Sequence, residues 1–481
     1  MAFRYTDLNK GYSSSLKMNT GKRIFFYLMT ILMVFESCHQ APRSDAVVAD
    51  SSKVRIMVLA PGHFHAALLQ KSMYPQVDST VYVYAPKGPE VQAYLKLIDQ
   101  YNTQAEDPAA WNEKVYMGPG YLDSMLMEKP GNMVVIAGNN RMKTTYIQKS
   151  VDAGLNVLAD KPMTINAADF DSLKVAFSEA AAKKVLLYDI MTERYVITNI
   201  LLKNFSHFPD VFGELKQGTP EDPAISFSST HYFFKRVSGQ PLIRPDWYFD
   251  VRQQGEGLVD VTTHLVDLIQ WECFPETIFD YQKDIRMLSA RHWATRITPG
   301  EFREVTSENA YPDFLQKDVH DGILDVFANG VMNYTIKGIH ARVSIEWGFE
   351  APKGSDDTFY SMLAGTRANL IIRQGAEQGY KPILYIEPTD SEEDSKWTQA
   401  LQSRMDSLGK TYPGVSLKKS ARGWQVIIPD KYNLGHEQHF SLVIKQYLRY
   451  LKEGKMPKWE ISGMLAKYYT TTQALSIALE H

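Results

Sequence analysis

From Lys53 to about residue 190 the chain alternates short apolar runs with stretches of helical periodicity, and this alternation limits the possible fold more than any other feature. The runs "VRIMVLA" (54–60), "TVYVYA" (80–85), "NMVVIAG" (132–138), "NVLAD" (156–160) and "KVLLYD" (184–189) are each bounded by turn residues. Helical candidates fill the gaps near 64–73, 89–103, 119–128, 143–153 and 166–182. Strands that are apolar on both faces and separated by helices need cover on both sides. Residues 53–190 are therefore expected to form a doubly wound α/β domain with a parallel sheet.

Beyond a helical stretch near 194–206, strand-like runs follow one another at 224–235, 321–330, 331–338, 340–350, 359–366, 368–375 and 382–388. Consecutive strands with short turns predict one large antiparallel sheet, so residues 191–435 read as an α+β domain. The polar segment 391–409 reads as a solvated helix or insertion, and residues 436–481 carry apolar positions at helical spacing. Ahead of both domains, Lys22 and Arg23 precede the apolar run Ile24 to Phe35, which ends in "FESC". A run of this length is too short to span about 30 Å of hydrocarbon and suits a signal-peptide core. The ending resembles a lipoprotein signal, which makes Cys38 the site of a lipid anchor and residues 39–52 a tether. An exported protein, periplasmic or associated with the outer membrane, is expected, and the anchor is its only membrane contact. Cys273 is the other of the two cysteines, so lipidation of Cys38 leaves no disulfide. The balance of 52 basic and 55 acidic residues lacks the excess positive charge that nucleic-acid proteins carry.

Three constellations carry chemistry. In "VLAPGHFHAALL" (58–69) a strand, a turn and a helical pattern follow in the order of a dinucleotide-binding unit, but Ala60, Gly62 and His65 stand where G-x-G-x-x-G places glycine. Gly62 keeps the middle position, where backbone must approach a pyrophosphate. No acid follows the second strand, which ends at Ala85-Pro86-Lys87, so Lys87 reads either as a solvated surface charge or as a partner for a ribose 2′-phosphate. His63 and His65 form a pair of the kind that binds zinc, but His436 in "HEQH" has the wrong spacing for a zincin helix, and no metal site is expected. The second constellation is Asp160-Lys161-Pro162 at the end of a buried-looking strand, which delivers an ammonium to the edge where open α/β sheets bind ligands. The third, "GEGLVDVTTHLVDLIQW" (255–271), spaces Asp260, His264 and Asp267 at i, i+4 and i+7. That spacing places an imidazole between two carboxylates on one helix face, where they are expected to orient it and favour its protonated form.

Taken in order and spacing, the three stretches resemble the Gfo/Idh/MocA family of nicotinamide-dependent sugar and polyol oxidoreductases. The family's E-K-P motif stands here as Asp160-Lys161-Pro162, and its G-G-x-x-x-D-x-x-x-H-x-x-D motif as Gly255 through Asp267. The resemblance implies an N-terminal Rossmann domain, a C-terminal open-faced sheet, and C-terminal helices that pack back on the body. It implies that Lys161, His264 and Asp260 are catalytic: Lys161 at the reacting hydroxyl, His264 taking its proton, Asp260 positioning them. NAD or NADP would lie along Ala60, Gly62, His63, Phe64, Lys87, Gly138, Asn139, Asn140, Asp160 and Lys161. Asn139 and Asn140 replace the family's usual Thr-Pro-Asn, and Lys143 replaces its usual His. A sugar or glycoside would meet Arg194, His231, Trp247, Tyr248, Arg252 and Asp267, with the aromatic rings as a stacking surface. Export implies a tightly bound cofactor, since no free nicotinamide pool is expected outside the cytoplasm. Oxidation and re-reduction of one substrate, glycoside cleavage through a keto intermediate, and non-catalytic sugar binding all remain open. A homodimer or homotetramer joined through the exposed sheet face is the assembly the resemblance implies.

Overall fold

In the computed structural model, which describes residues 53–237, 240–389 and 394–480, the N-terminal alternation becomes six parallel strands. They are β1 (Val54–Leu59), β2 (Val77–Ala85), β3 (Asn112–Met117), β4 (Met133–Ile136), β5 (Asn156–Asp160) and β6 (Leu187–Ile190), in the order β3-β2-β1-β4-β5-β6. Every neighbouring pair in this sheet is parallel. The strand order reverses between β1 and β4, and ligands of such sheets bind at the carboxyl ends of the strands flanking that reversal. The signal, tether and Cys38 readings lie outside the described residues.

Strand β3 leaves no apolar signal in the sequence, because it is an edge strand that exposes Asn112, Val115, Tyr116 and Met117 and buries none of its six residues. Mixed charge of this kind blunts an edge against further pairing and erases the apolar period. The helix expected over 64–73 is shorter, with a single turn His65–Leu68 followed by a 3-10 turn Leu69–Lys71. Pro75 lies close behind and turns the preceding chain toward extended backbone.

The second sheet has ten strands. Across it run Ile285–Ile297, Ile323–Ile336, Ile339–Glu350, Ile225–Phe234, Thr358–Ala364, Ala368–Gln374, Ile383–Pro388, Gly423–Ile427 and Ser416–Ser420, with Val319–His320 beside Ile323–Ile336. Pairing is antiparallel except between Ile339–Glu350 and Ile225–Phe234. The runs 321–330 and 331–338 are one strand: Ala328-Asn329-Gly330 reads as a turn, yet the chain passes straight through it. Gly330 serves packing instead, since a Cβ there would lie 2.6 Å from Leu258 Cγ. A Cβ on Gly257 would lie 2.0 Å from the Ala328 carbonyl oxygen. Both glycines let the segment that carries Asp260 and His264 settle directly on the sheet. The charged segment near 391–409 is a helix, Ser395–Thr411, that buries Trp397, Leu401, Met405 and Leu408.

Two C-terminal helices, His436–Glu453 and Lys458–Ala478, tie the sheets together. Phe440, Tyr447 and Tyr468 belong to the core of the parallel sheet. The Tyr447 hydroxyl donates to the Val157 and Leu186 carbonyls at 3.0 and 3.1 Å. Fully buried Lys467 pairs with Asp189 at the end of β6 and with Asp267 below the second sheet, at 2.7 and 2.8 Å. Among the described residues no helix is long and apolar enough to cross a membrane.

Candidate active site

The turn after β1 is shaped by close backbone packing. Ala60 takes a φ of 45°, a left-handed conformation unusual for a residue with a side chain. The N–H groups of Gly62 and His63 both donate to the Ala137 carbonyl at the end of β4, at 3.1 and 3.3 Å. A Cβ on Gly138 would lie 2.5 Å from the Ala60 carbonyl oxygen, and one on Gly62 would lie 3.3 Å from Gly138 Cα. The glycine missing from the first turn is thus supplied across the sheet by Gly138, a substitution no local motif records.

Beside this turn lies a cavity of about 370 Å³ whose walls include Ala60, Gly62, Glu90, Asn139, Arg141 and Trp247. Ala60, Gly62 and Asn139 were expected here. Glu90 and Arg141 were not, because neither sits at the fingerprint position. Lys87 is exposed and outside the walls. The chain turns through Pro86, Gly88 and Pro89 and presents Glu90 from the first turn of the next helix instead. Trp247, expected on the substrate side, closes this cavity, with Nε1 donating to Glu90 at 3.2 Å. Asn139 bonds Gln253 at 2.7 Å, and Asn140 donates to the Gln254 carbonyl at 2.6 Å, so both asparagines lock the two halves together.

His63 and Phe64 are absent from the cavity walls, contrary to their reading as cofactor contacts. Phe64 is 44% exposed. His63 joins a cluster around the buried Asp160 carboxylate, with Nδ1 atoms of His65 and His63 at 2.9 and 3.8 Å from Oδ2. His436 Nε2 stands 3.0 Å from His65 Nε2. Burial opposes ionisation of Asp160, but the hydrogen-bonded His65 and the nearby Lys143 outweigh it and hold the acid well below the usual range. Burial lowers His63, and His436 is pushed down to about 4, first by desolvation and then by His65. The Lys143 ammonium donates to the Asp160 carbonyl at 2.9 Å, and burial brings it down to about 8.

One residue further, Lys161 reaches the second domain and donates to Asp260 at 2.6 Å. Gln254 holds the other Asp260 oxygen at 3.0 Å. Burial works against the Lys161 charge, but Asp260 and Asp160 raise its pKa above the ordinary value. His264 lies in the helix Thr262–Cys273 with its Nδ1 buried and without a hydrogen-bond partner. Burial and then the Lys161 ammonium depress its pKa well below 6.5. This corrects the expectation of a protonated imidazole between two carboxylates. Asp260 is committed to Lys161, and Asp267 is committed to Arg194 and Lys467. A neutral ring with a bare nitrogen is the form that accepts a proton.

The substrate-side expectations divide. Arg194 forks onto Asp267 at 2.6 and 2.7 Å and reaches Glu460 at 2.9 Å, so both belong to a buried ion network rather than to a ligand surface. Arg252 is used up by Asp250, Asp318 and the Phe314 carbonyl. Tyr248 is nearly buried, with its ring 4.5 Å from the Arg244 guanidinium carbon. His231 keeps partial exposure and is oriented by Asp357 at Nδ1, 2.8 Å, and by Ser229 at Nε2, 3.1 Å. Its ring packs on Trp347, centroids 5.2 Å apart.

A six-stranded Rossmann sheet with a cavity at its switch point, joined to an open sheet on which the segment carrying Asp260 and His264 packs, defines a two-domain dinucleotide-dependent oxidoreductase architecture. Two family descriptions match the chain: "Oxidoreductase family, NAD-binding Rossmann fold" over residues 77–188, and "Putative oxidoreductase C terminal domain" over residues 201–479. A crystal structure of a "putative oxidoreductase" from Parabacteroides merdae shares 52% identity over 89% of this chain and 98% of its own, with a TM-score of 0.88. The chain belongs to the Gfo/Idh/MocA family of oxidoreductases. The fold is shared with an oxidoreductase domain protein from Kribbella flavida, at 15% identity over 89% and 98% of the two chains and a TM-score of 0.58. It is also shared with a 3-ketoreductase from Actinomadura kijaniata in complex with NADP, at 12% identity over 87% and 96% and a TM-score of 0.51. No curated protein matches the chain.

Proposed function

We propose that this protein transfers a hydride between a sugar or glycoside hydroxyl carbon and a tightly held NAD. The observation that carries the reading is the Lys161–Asp260 pair, 2.6 Å long and drawn from two domains, beside an imidazole that burial keeps neutral. The cavity at the switch point fits a dinucleotide: Gly62 leaves its backbone bare there, and Arg141 offers a cation for a pyrophosphate. Glu90 offers carboxylate oxygens to ribose hydroxyls and repels a 2′-phosphate, which favours NAD over NADP. When bound, the nicotinamide exchanges a hydrogen and its electron pair with the carbinol carbon.

The chain's own residues manage the proton. His264 takes it from the substrate hydroxyl as general base, and the Lys161 ammonium donates to the same oxygen as negative charge develops. Asp260 and Gln254 fix the direction of that ammonium. His231, aimed by Asp357, and the Trp347 ring offer a polar and a stacking contact to a pyranose. Export with a lipid anchor at Cys38 requires the cofactor to stay bound through successive turnovers, and the exposed sheet face is the surface for a dimer or tetramer. Native mass measurement of the purified protein checks cofactor and stoichiometry together. Fluorescence of the bound nicotinamide on addition of sugars checks the chemistry, and Lys161→Met is expected to lower turnover at least about 1,000-fold while leaving the bound cofactor in place. An unchanged rate in that variant, in folded protein, refutes the reading.

A further inference from the structure

We propose that His63, His65 and Asp160 form a binding site for a divalent transition-metal ion of the zinc type, with His436 as its outer partner. One ring nitrogen of each histidine and one carboxylate oxygen of the aspartate lie within 4.8 Å of one another. The Asp160 Oδ2 separations from Nδ1 of His65 and of His63 are 2.9 and 3.8 Å. A tetrahedral ion with bonds of about 2.1 Å spaces its ligand atoms roughly 3.4 Å apart, so these three atoms need only small displacements to close on one. Two imidazoles and a carboxylate select zinc, cobalt, nickel or iron over magnesium and calcium, which prefer all-oxygen shells.

The orientation of the rings supports the same reading. An imidazole that binds metal through Nδ1 carries its remaining proton on Nε2, and that proton needs an acceptor. His65 turns Nδ1 toward Asp160 and Nε2 toward His436 Nε2, 3.0 Å away. His436 therefore stands where an outer partner of a metal ligand belongs, which explains how a histidine with no zincin spacing joins the cluster. The three ligands stand on different supports. His63 is in the tight turn after β1, His65 opens the next helical turn, and Asp160 ends β5. His63 keeps 27% of its side chain exposed against 6% for Asp160, so the site opens on the His63 side and leaves room for a water or substrate oxygen. The ammonium groups of Lys143 and Lys161 oppose a cation here, and the carboxylates of Asp160 and Asp260 counter them.

The test reads metal content and is independent of turnover. Metal-free protein is titrated calorimetrically with Zn²⁺ and with Mg²⁺, and Co²⁺ is added separately to read its visible absorption. One Zn²⁺ per chain, no Mg²⁺ uptake, and a tetrahedral-type Co²⁺ spectrum are expected. Asp160→Asn and His63→Ala are expected to abolish stoichiometric uptake, and His436→Ala to weaken it about 10- to 100-fold with stoichiometry kept. Circular dichroism melts confirm that each variant is folded. His63→Ala, which removes a partly exposed ring, keeps the test decisive if Asp160→Asn does not fold. Substoichiometric Zn²⁺ in the parent protein, or equal uptake by His63→Ala, overturns the proposal.

Discussion

The two glycines that meet under the turn after β1 give opposite predictions for the same substitution. At Gly138 an added methyl would lie 2.5 Å from the Ala60 carbonyl oxygen and 2.9 Å from the Gly62 nitrogen. Both obstacles are backbone, so the turn itself must shift, and overpacking of this kind costs about 1–3 kcal/mol. At Gly62 the methyl would meet Gly138 Cα at 3.3 Å, the Asn139 nitrogen at 3.4 Å and Trp247 Cζ2 at 3.5 Å. These are tight but tolerable contacts, which predicts a stability change under about 1 kcal/mol. The same methyl stands on the cavity wall where a dinucleotide must approach backbone, so NAD affinity is expected to fall at least tenfold, about 1.4 kcal/mol. Urea denaturation measures the first effect, and calorimetric titration of cofactor-free protein with NAD measures the second. Gly138→Ala should lose stability, whereas Gly62→Ala should keep its stability and lose its ligand. If Gly62→Ala binds NAD as the parent does, the dinucleotide does not lie on this turn. If Gly138→Ala is as stable as the parent, the packing argument is wrong.

Other substitutions read the remaining parts of the site. Because His264 has a folded pKa below its unfolded value of about 6.5, its contribution to stability is complete above about pH 6.5 and is lost as pH falls from there toward the folded value. His264→Gln should therefore flatten the acid side of the stability–pH curve, by at most about 1.4 kcal/mol per pH unit, and an unchanged slope would count against a buried neutral ring. Glu90→Gln should cost about tenfold in NAD affinity and narrow the preference over NADP, and competition binding with both dinucleotides decides it. Lys467→Met leaves Asp189 with the Tyr468 hydroxyl and Asp267 with Arg194. The loss should therefore fall toward the low end of the roughly 3–5 kcal/mol typical of a broken buried pair, measured by denaturant unfolding. A neutral effect would mean that this buried lysine is not what fastens the two sheets.

Along the chain, what is local was legible. Runs such as Val54–Leu59 and Asn156–Asp160 announce strands because both of their faces are covered, and the Pro89–Thr103 helix because Pro89 opens a periodic stretch. The strands that went unread are edges or hairpins, such as Asn112–Met117 and Ile285–Ile297, whose alternating charge removes the apolar signal. Lys161, Asp260 and His264 stand out in the sequence because two motifs about a hundred residues apart carry them, and the structure joins Lys161 to Asp260 at 2.6 Å.

By itself, then, the order of residues determined the doubly wound sheet and the second sheet, since each follows from periodicity, and it marked a strand-end lysine and a helix-borne histidine through two separate motifs. Tertiary structure alone decided the charge state of that histidine, the role of Gly138 as the missing glycine, the arrival of Glu90 in place of Lys87, and the gathering of His63, His65, Asp160 and His436. Those outcomes depend on desolvation and on separations of a few ångströms between groups far apart along the chain, and neither quantity is written in local sequence.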